Sequence, residues 1–435
     1  MSIKIIMIAI LSMFTAICLT SVAIEVGVIE PLWVSHWSIT DYEEDIILSW
    51  DCGHQMTLDE ENKCVYVGGW SQYEYFNGDY FMEYVLLKYD LNGNLKWHKA
   101  LGLIQPEWYG SGGLCEADCY VYVAYRNVYG SIFLLKFDQN GNEEWSRTMN
   151  AGYAVDVLSM IVYDNYLYFT LTPSSNDGEV YLYKCNTNDG NLEWIQTWEH
   201  DGRCESIGMD LVAYDGFIYL GGHSFIELYE RYDTFLCKYD ANGNKIWDKT
   251  WDGNQEVTTI FSMAIHNNRL FVTGVTGEFP YINSIFLMKF DLDGNEAWPE
   301  MRIWNESEEY NILDSADMVI ADDHIFISGS AMGSGNSRAL LLKYDLDGNL
   351  IFAKTWPDTF ISETYARRVE AYNERLYLCG VTVTDPNHGN IFLLSCDYNG
   401  ADSYQSGGLP SSQQSNPHSN PSCQTSTPTS NPTNK

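Results

Sequence analysis

What this chain lacks narrows its reading first. No stretch beyond residue 30 sustains the 3.6-residue apolar period of a long helix, and after the apolar stretch Ile5 to Ile24 no second run could span a bilayer. Basic residues are scarce: 24 Lys and Arg stand against 59 Asp and Glu, for a formal net charge of −35 and a pI near 4.3. Nucleic acid and anionic membrane surfaces are therefore excluded as partners, because both would be repelled. The acidity itself reads as a solvated surface, or more sharply as cation binding or adaptation to salt.

Catalytic signatures are missing too. Nine His are scattered with no His-x-x-x-His or His-Glu-x-x-His spacing, and eleven Cys include no Cys-x-x-Cys pair. There is no Gly-x-Ser-x-Gly elbow and no phosphate loop; the Gly-rich Ser330–Gly335 sits between strands and opens no helix. These absences imply no cofactor and leave any metal unknown.

What the chain has is a block that recurs seven times. Lys88-Tyr89-Asp90-Leu91-Asn92-Gly93-Asn94 precedes Trp97, and Lys136-Phe137-Asp138-Gln139-Asn140-Gly141-Asn142 precedes Trp145; the block returns at Lys184, Lys238, Lys289 and Lys343 and in weaker form at Ser395. A fixed period of about 50 residues marks an array of equal supersecondary units. Each unit holds four short β-branched or aromatic runs, such as Met160-Ile161-Val162, Leu167-Tyr168-Phe169 and Ile132-Phe133-Leu134-Leu135, bounded by Gly, Asn and Asp. That is strand composition. The Asn-Gly and Asp-Gly pairs are read as two-residue hairpin turns with φ > 0 at both central residues. Each unit is then a four-stranded antiparallel meander, and the fold class is all-β, a seven-bladed β-propeller. The seventh unit ends at Asn399-Gly400 without its Trp strand, and Trp33-Val34-Ser35-His36-Trp37 repeats the spacing of Trp194/Trp198 and Trp247/Trp251. The N-terminal strand is expected to complete the last blade and close the ring.

The expected organisation is a signal peptide over 1–23 or an uncleaved N-terminal anchor, a short lead-in over 24–32, the propeller over 33–400, and a disordered Ser/Pro/Asn/Thr-rich tail over 401–435. It implies a secreted or extracytoplasmic monomer at the cell surface. Asn305-Glu306-Ser307 is the clear glycosylation sequon, with Asn305 as acceptor. Export permits disulfides. Cys379 and Cys396 are nearly equidistant from the loop between their runs, and Cys115 and Cys119 flank a short turn, so both pairs are disulfide candidates. Free buried thiols are the alternative.

Recurrent residues read as architecture. The Lys of the third run is expected to pair a carboxylate and pack its stem. The Asp-x-Asp-Gly-Asn stretches at Asp291 and Asp345 resemble the start of a calcium loop, lack its terminal carboxylate, and read as hairpins. Function then belongs to loops that break the repeat. The longest, Trp70–Phe81 and Phe225–Asp233, are aromatic and acidic, and nominate Tyr75, Asp79, Tyr80, Tyr229, Glu230 and Tyr232 as ligand contacts. Such groups suit a glycan, a peptide or protein, or a cation. The plain alternative is that these aromatics pack the loops onto the blades.

Ile218-Tyr219-Leu220-Gly221-Gly222, Phe235-Leu236-Cys237-Lys238-Tyr239-Asp240-Ala241-Asn242-Gly243-Asn244 and Trp247 resemble the repeats of seven-bladed, SBBP-type propeller proteins. The resemblance covers nearly all of 33–400 and implies fold, not activity. The turn and Trp are also similar to the docking motif of quinoprotein (PQQ-like) propellers, with Asn-Gly-Asn where Thr-Gly-Lys is usual. The expected function is a non-enzymatic binding or interaction scaffold. The alternatives are a quinoprotein-like dehydrogenase and a structural envelope component.

Overall fold

The computed structural model describes residues 27–400, apart from 42–45, 105–111, 151–153, 174–177, 201–203, 227–230, 252–256, 278–283, 306–309, 334–336, 358–362 and 386–387. The leader and the tail of the sequence reading lie outside the described residues.

Each repeat folds into an antiparallel blade. The innermost strands are Ile46–Asp59, Gly112–Ala117, Ala154–Tyr163, Cys204–Tyr214, Val257–His266, Tyr310–Ala321 and Glu363–Tyr372. Each touches the next in order, and the last touches the first, so seven blades stand around one axis. Trp33–Trp37 pairs antiparallel with His388–Asp397 of blade 7, with Trp33 opposite Ser395 and Trp37 opposite Ile391. The lead-in contributes as well. Gly27–Val28 adds as a parallel fifth strand to the outer edge of blade 6, and Ile29 N donates to Thr355 O at 2.8 Å.

Neighbouring blades are joined by one repeated device. The third-strand Lys sits opposite a buried second-strand aromatic: Lys88 opposite Tyr66, Lys184 opposite Tyr168, Lys343 opposite Phe326. Its stem packs on that ring, and its ammonium crosses to the next blade. Lys88 donates to Gln139 O at 2.8 Å, Lys184 to Ala241 O at 2.8 Å, Lys289 to Leu346 O at 2.9 Å and Lys343 to Tyr398 O at 3.0 Å. This corrects the expected carboxylate partner. The turn Asp is already occupied: Asp240 accepts from Asn242 N, Asn244 N and Asn244 Nδ2 at 2.8–2.9 Å. In blades 1 to 5 a Trp then covers the turn of the next blade, and Trp97 and Trp145 each donate Nε1 to its carbonyl at 3.2 Å, whereas in blade 6 Phe352 takes that position and Lys354 covers Gly400.

The turn types also differ from expectation. In the Asp-x-Asn-Gly-Asn turns only the Gly is left-handed, as at Gly93 (φ +80°). Asp90 N donates to Asn94 O and Gly93 N to Asp90 O, both at 3.0 Å, which makes a three-residue loop ending in a glycine bulge. The Asp carboxylate caps two backbone N–H groups there and so favours the longer loop. The two-residue turns with paired positive φ lie between the first and second strands instead, at Asp164-Asn165 (51°, 64°), Asn267-Asn268 (48°, 56°) and Asp322-Asp323 (48°, 55°). Both turn classes lie on one face of the ring. The second-to-third strand hairpins and the blade connections lie on the other, called here the loop face.

Candidate functional site

On the loop face the structure shortens what the sequence presents as long loops. Cys64–Tyr75 and Tyr80–Asp90 are strands, joined by a tight turn in which Gly78 N donates to Tyr75 O at 2.9 Å and Asp79 N to Asn77 Oδ1 at 2.9 Å. Tyr75 packs edge-on against Tyr73 and Phe81 at 5.5 and 5.9 Å, while Tyr80 is 48% exposed. In blade 4, Phe217–Ile226 and Arg231–Asp240 are likewise strands, and Tyr232 packs on Phe225 and His223 at 5.0 and 5.5 Å. Tyr229 and Glu230 lie outside the described residues. Tyr75 and Tyr232 are thus engaged with their own hairpins, whereas Tyr80 and Asp79 face solvent.

Around the axis runs a belt of polar side chains that the sequence reading did not single out. Most innermost strands carry a β-bulge, and the residue after it reaches the neighbouring blade. Ser159 donates to Asp210 at 2.9 Å, whose other oxygen accepts Met263 N at 2.7 Å. Ser262 donates to Asp317 at 3.0 Å, whose other oxygen accepts Val369 N at 3.0 Å. Arg368 Nε donates to Gln55 Oε1 at 3.0 Å, and Gln55 Nε2 reaches past blade 2 to Leu158 O at 3.2 Å. Blade 2 allows this because its innermost strand is short and Gly113 lets blade 3 approach: a Cβ there would lie 2.7 Å from Met160 Cβ. Burial pushes Asp210 up to about 6 against the pull of Arg368, and raises Asp317 likewise; burial and Asp317 push Glu370 up to about 8. The only signal in the sequence is a column, Gln55, Ser159, Asp210, Ser262, Asp317 and Arg368, placed just before each unit's first apolar run.

A cavity of about 470 Å³ opens on the loop face beside blade 7. His36 and Trp37 come from the N-terminal strand, Thr40 and Asp41 from the following turn, and His388 and Asn390 from the facing strand. With His36 opposite Phe392, the two-residue alternation puts His36, Asn390 and His388 on one face of the strand pair. Beneath them Asp51 of blade 1 is fully buried and accepts from Ser38 Oγ at 2.7 Å, Ile39 N at 3.2 Å and Ser71 Oγ. Burial raises it to about 6 and lowers the His36 imidazole.

The disulfide candidates are corrected. Cys379 faces Leu393 and Cys396 faces Leu376, so a three-position offset separates them; Cys115 faces Tyr122, while Cys119 lies in the turn. Cys52, Cys64, Cys115, Cys185, Cys237, Cys379 and Cys396 are free and buried, Cys119 is buried, and burial raises these thiols where a shift is resolved. Asn305 is exposed at the end of the outer strand of blade 5. Among the described residues no helix is long and apolar enough to cross a membrane.

No protein family matches this sequence, and no curated protein matches it. Several solved structures are similar to it in fold. The Dos1 propeller superposes with a TM-score of 0.47 at 9% identity, over 80% of this chain and 95% of that one. The polysaccharide lyase Uly1 gives 0.50 at 12%, over 79% and 90%. The quinohemoprotein alcohol dehydrogenase ADHIIG from Pseudomonas putida HK5 gives 0.44 at 11%, over 85% and 78%. At such identities the likeness speaks to fold alone.

Proposed function

We propose that this chain is a non-enzymatic, exported propeller of the SBBP-type repeat class that binds a glycan, peptide or protein ligand on its loop face. One observation carries the reading: the hydroxyl, carboxylate and guanidinium groups nearest the axis bond one another from blade to blade and hold the ring together. A rigid ring of this kind positions variable loops for recognition. Tyr75, Asp79, Tyr80, Tyr229, Glu230 and Tyr232 are the proposed contacts, with Asp79 and Tyr80 exposed. The apolar stretch Ile5 to Ile24, read as a leader, supports a proposed location at the cell surface, and a monomer is proposed.

A thermal-shift screen of glycans, peptides and metal ions tests the binding role, since a ligand of the native state raises the melting temperature. A hit whose affinity survives replacement of Tyr75, Tyr80, Tyr229 and Tyr232 by Ala would place binding elsewhere. Turnover of an alcohol or sugar with added pyrroloquinoline quinone and calcium would overturn the non-enzymatic reading. Cell fractionation checks the location.

A further inference from the structure

We propose that the cavity formed by His36, Thr40, Asp41, His388 and Asn390 is a subsite for a neutral polyhydroxylated ligand, a sugar ring with adjacent hydroxyls. The proposal rests on the binding-scaffold reading and deepens it, at residues that the repeat does not explain.

Size comes first. About 470 Å³ lies within the range of roughly 300–1,000 Å³ typical of small-ligand sites. The lining then selects the chemistry. Among the described residues no Lys or Arg lines the cavity, and the chain carries a net charge of −35, so a phosphate or carboxylate ligand would meet no counter-charge from them. Among those same residues Asp41 is its one carboxylate, and no group of three or more His, Cys, Asp or Glu is placed to hold a metal ion. An apolar ligand would cover the Asn390 amide and the Asp41 carboxylate and return no hydrogen bond, at about 1–3 kcal/mol each. A polyol fits. Its hydroxyls both donate and accept, and so do a neutral imidazole, an Asn amide and a Thr hydroxyl, while Asp41 accepts.

The site is also preformed. The turn that carries Thr40 and Asp41 is pinned from below by Asp51, through Ser38 Oγ at 2.7 Å and Ile39 N at 3.2 Å. Thr40 Oγ1 lies 3.0 Å from that same Ser38 Oγ. The opposite wall is pinned too: Gly389, between His388 and Asn390, packs on Trp50, whose ring atoms would lie 3.2 Å from a Cβ there. Asp51 is a positioning residue, and its loss should weaken binding by loosening the turn rather than by removing a contact.

The test uses the full chain and four neutral sugars: glucose, galactose, mannose and N-acetylglucosamine. Binding is read by saturation-transfer NMR and calorimetry. At least one sugar should bind, and Asp41→Asn and Asn390→Ala should each weaken it about tenfold or more while leaving the melting temperature within a degree or so. Asp51→Asn should weaken binding less and lower the melting temperature. Glucose 6-phosphate should bind more weakly than glucose. The proposal is overturned if none of the four sugars binds, if the Asp41 and Asn390 variants bind as the parent does, if the phosphorylated sugar binds more tightly, or if zinc or calcium binds here and is lost in His388→Ala. Sugar binding lost on replacing Tyr75, Tyr80 and Tyr232 but not Asp41 or Asn390 would sink this cavity and leave the scaffold reading standing.

Discussion

The indole of Trp33 lies over the backbone of Gly93: a Cβ on Gly93 would fall 2.5 Å from its ring, and Ser35 Oγ donates to Gly93 O at 2.5 Å. The same relation joins Trp97 to Gly141, Trp145 to Gly190, Trp194 to Gly243, Trp247 to Gly294 and Trp298 to Gly348, each from one blade to the next. Trp33, from the start of the chain, therefore fills for blade 7 the role that the other Trp fill for theirs. Gly93→Ala should destabilise the protein by roughly 2–4 kcal/mol, combining a left-handed backbone with overlap against the indole. Gly78→Ala is the control, because Gly78 has φ +86° with nothing within 4 Å of its Cβ position. It should lose only about 1 kcal/mol. Equal losses in urea unfolding would show that the Trp33 contact contributes nothing.

Lys184→Met removes the ammonium that lies 3.8 Å from the centre of the Tyr166 ring and donates to Ala241 O. A loss of about 1–2 kcal/mol is expected. Because the partner is a carbonyl, that loss should persist in 1 M salt; a loss that vanished there would restore the carboxylate pairing.

Stability should peak on the acid side of neutrality. Asp51 and Asp210 at about 6, Glu116 at about 7 and Glu370 at about 8 are all raised by burial. Their contribution is complete below the unfolded value and is lost as pH rises through the folded one. The turn carboxylates Asp90, Asp138, Asp240, Asp291 and Asp345 are lowered against desolvation, Asp90 first by the Lys96 ammonium at 2.6 Å and all of them by the Asn amide and backbone N–H groups of their own turns. Their contribution is present above the unfolded value and is lost as pH falls through the folded one. The melting temperature should therefore be highest near about pH 5 and fall on both sides. A monotonic rise from pH 5 to 8 would contradict the raised group.

Arg368→Met should lose about 1–3 kcal/mol, because it leaves the partly buried Asp317 without its nearby guanidinium, 3.7 Å away. Adding Asp317→Asn should recover part of that loss. Strict additivity in chemical denaturation would mean that the two side chains do not couple across the blades.

The buried thiols Cys52, Cys64, Cys115, Cys185, Cys237, Cys379 and Cys396 should resist alkylation in the native state and react only on unfolding, since a desolvated thiol is poor in thiolate. Rapid native labelling of Cys379 or Cys396 would contradict their burial.

Most of the architecture was legible because it repeats. The Lys, the turn Asp and the Trp recur at one spacing, and the missing Trp strand of unit seven matched Trp33–Trp37. What escaped was partner identity. A Lys beside an Asp suggests an ion pair, but the turn consumes the Asp and leaves the Lys a carbonyl one blade away, which only three-dimensional stacking supplies. The axial belt escaped because its members differ in type: Ser159 and Asp210 bond only after bulges in separate blades point them together. The cavity escaped because His36 and His388 meet only through strand pairing across the ring, and neither belongs to a local motif.

The parallel addition of Gly27–Val28 to blade 6, just before Trp33–Trp37 enters blade 7, sets an order of assembly. The first of these strands to leave the ribosome must wait for partners made almost last. Blades 1 to 5 hold all their own strands and can stack as they emerge, while this early segment stays unpaired. Moving it by circular permutation to follow Gly400 would turn the longest-range pairing in the molecule into a local hairpin. Such a permutant should refold faster than the natural order while keeping the same final ring.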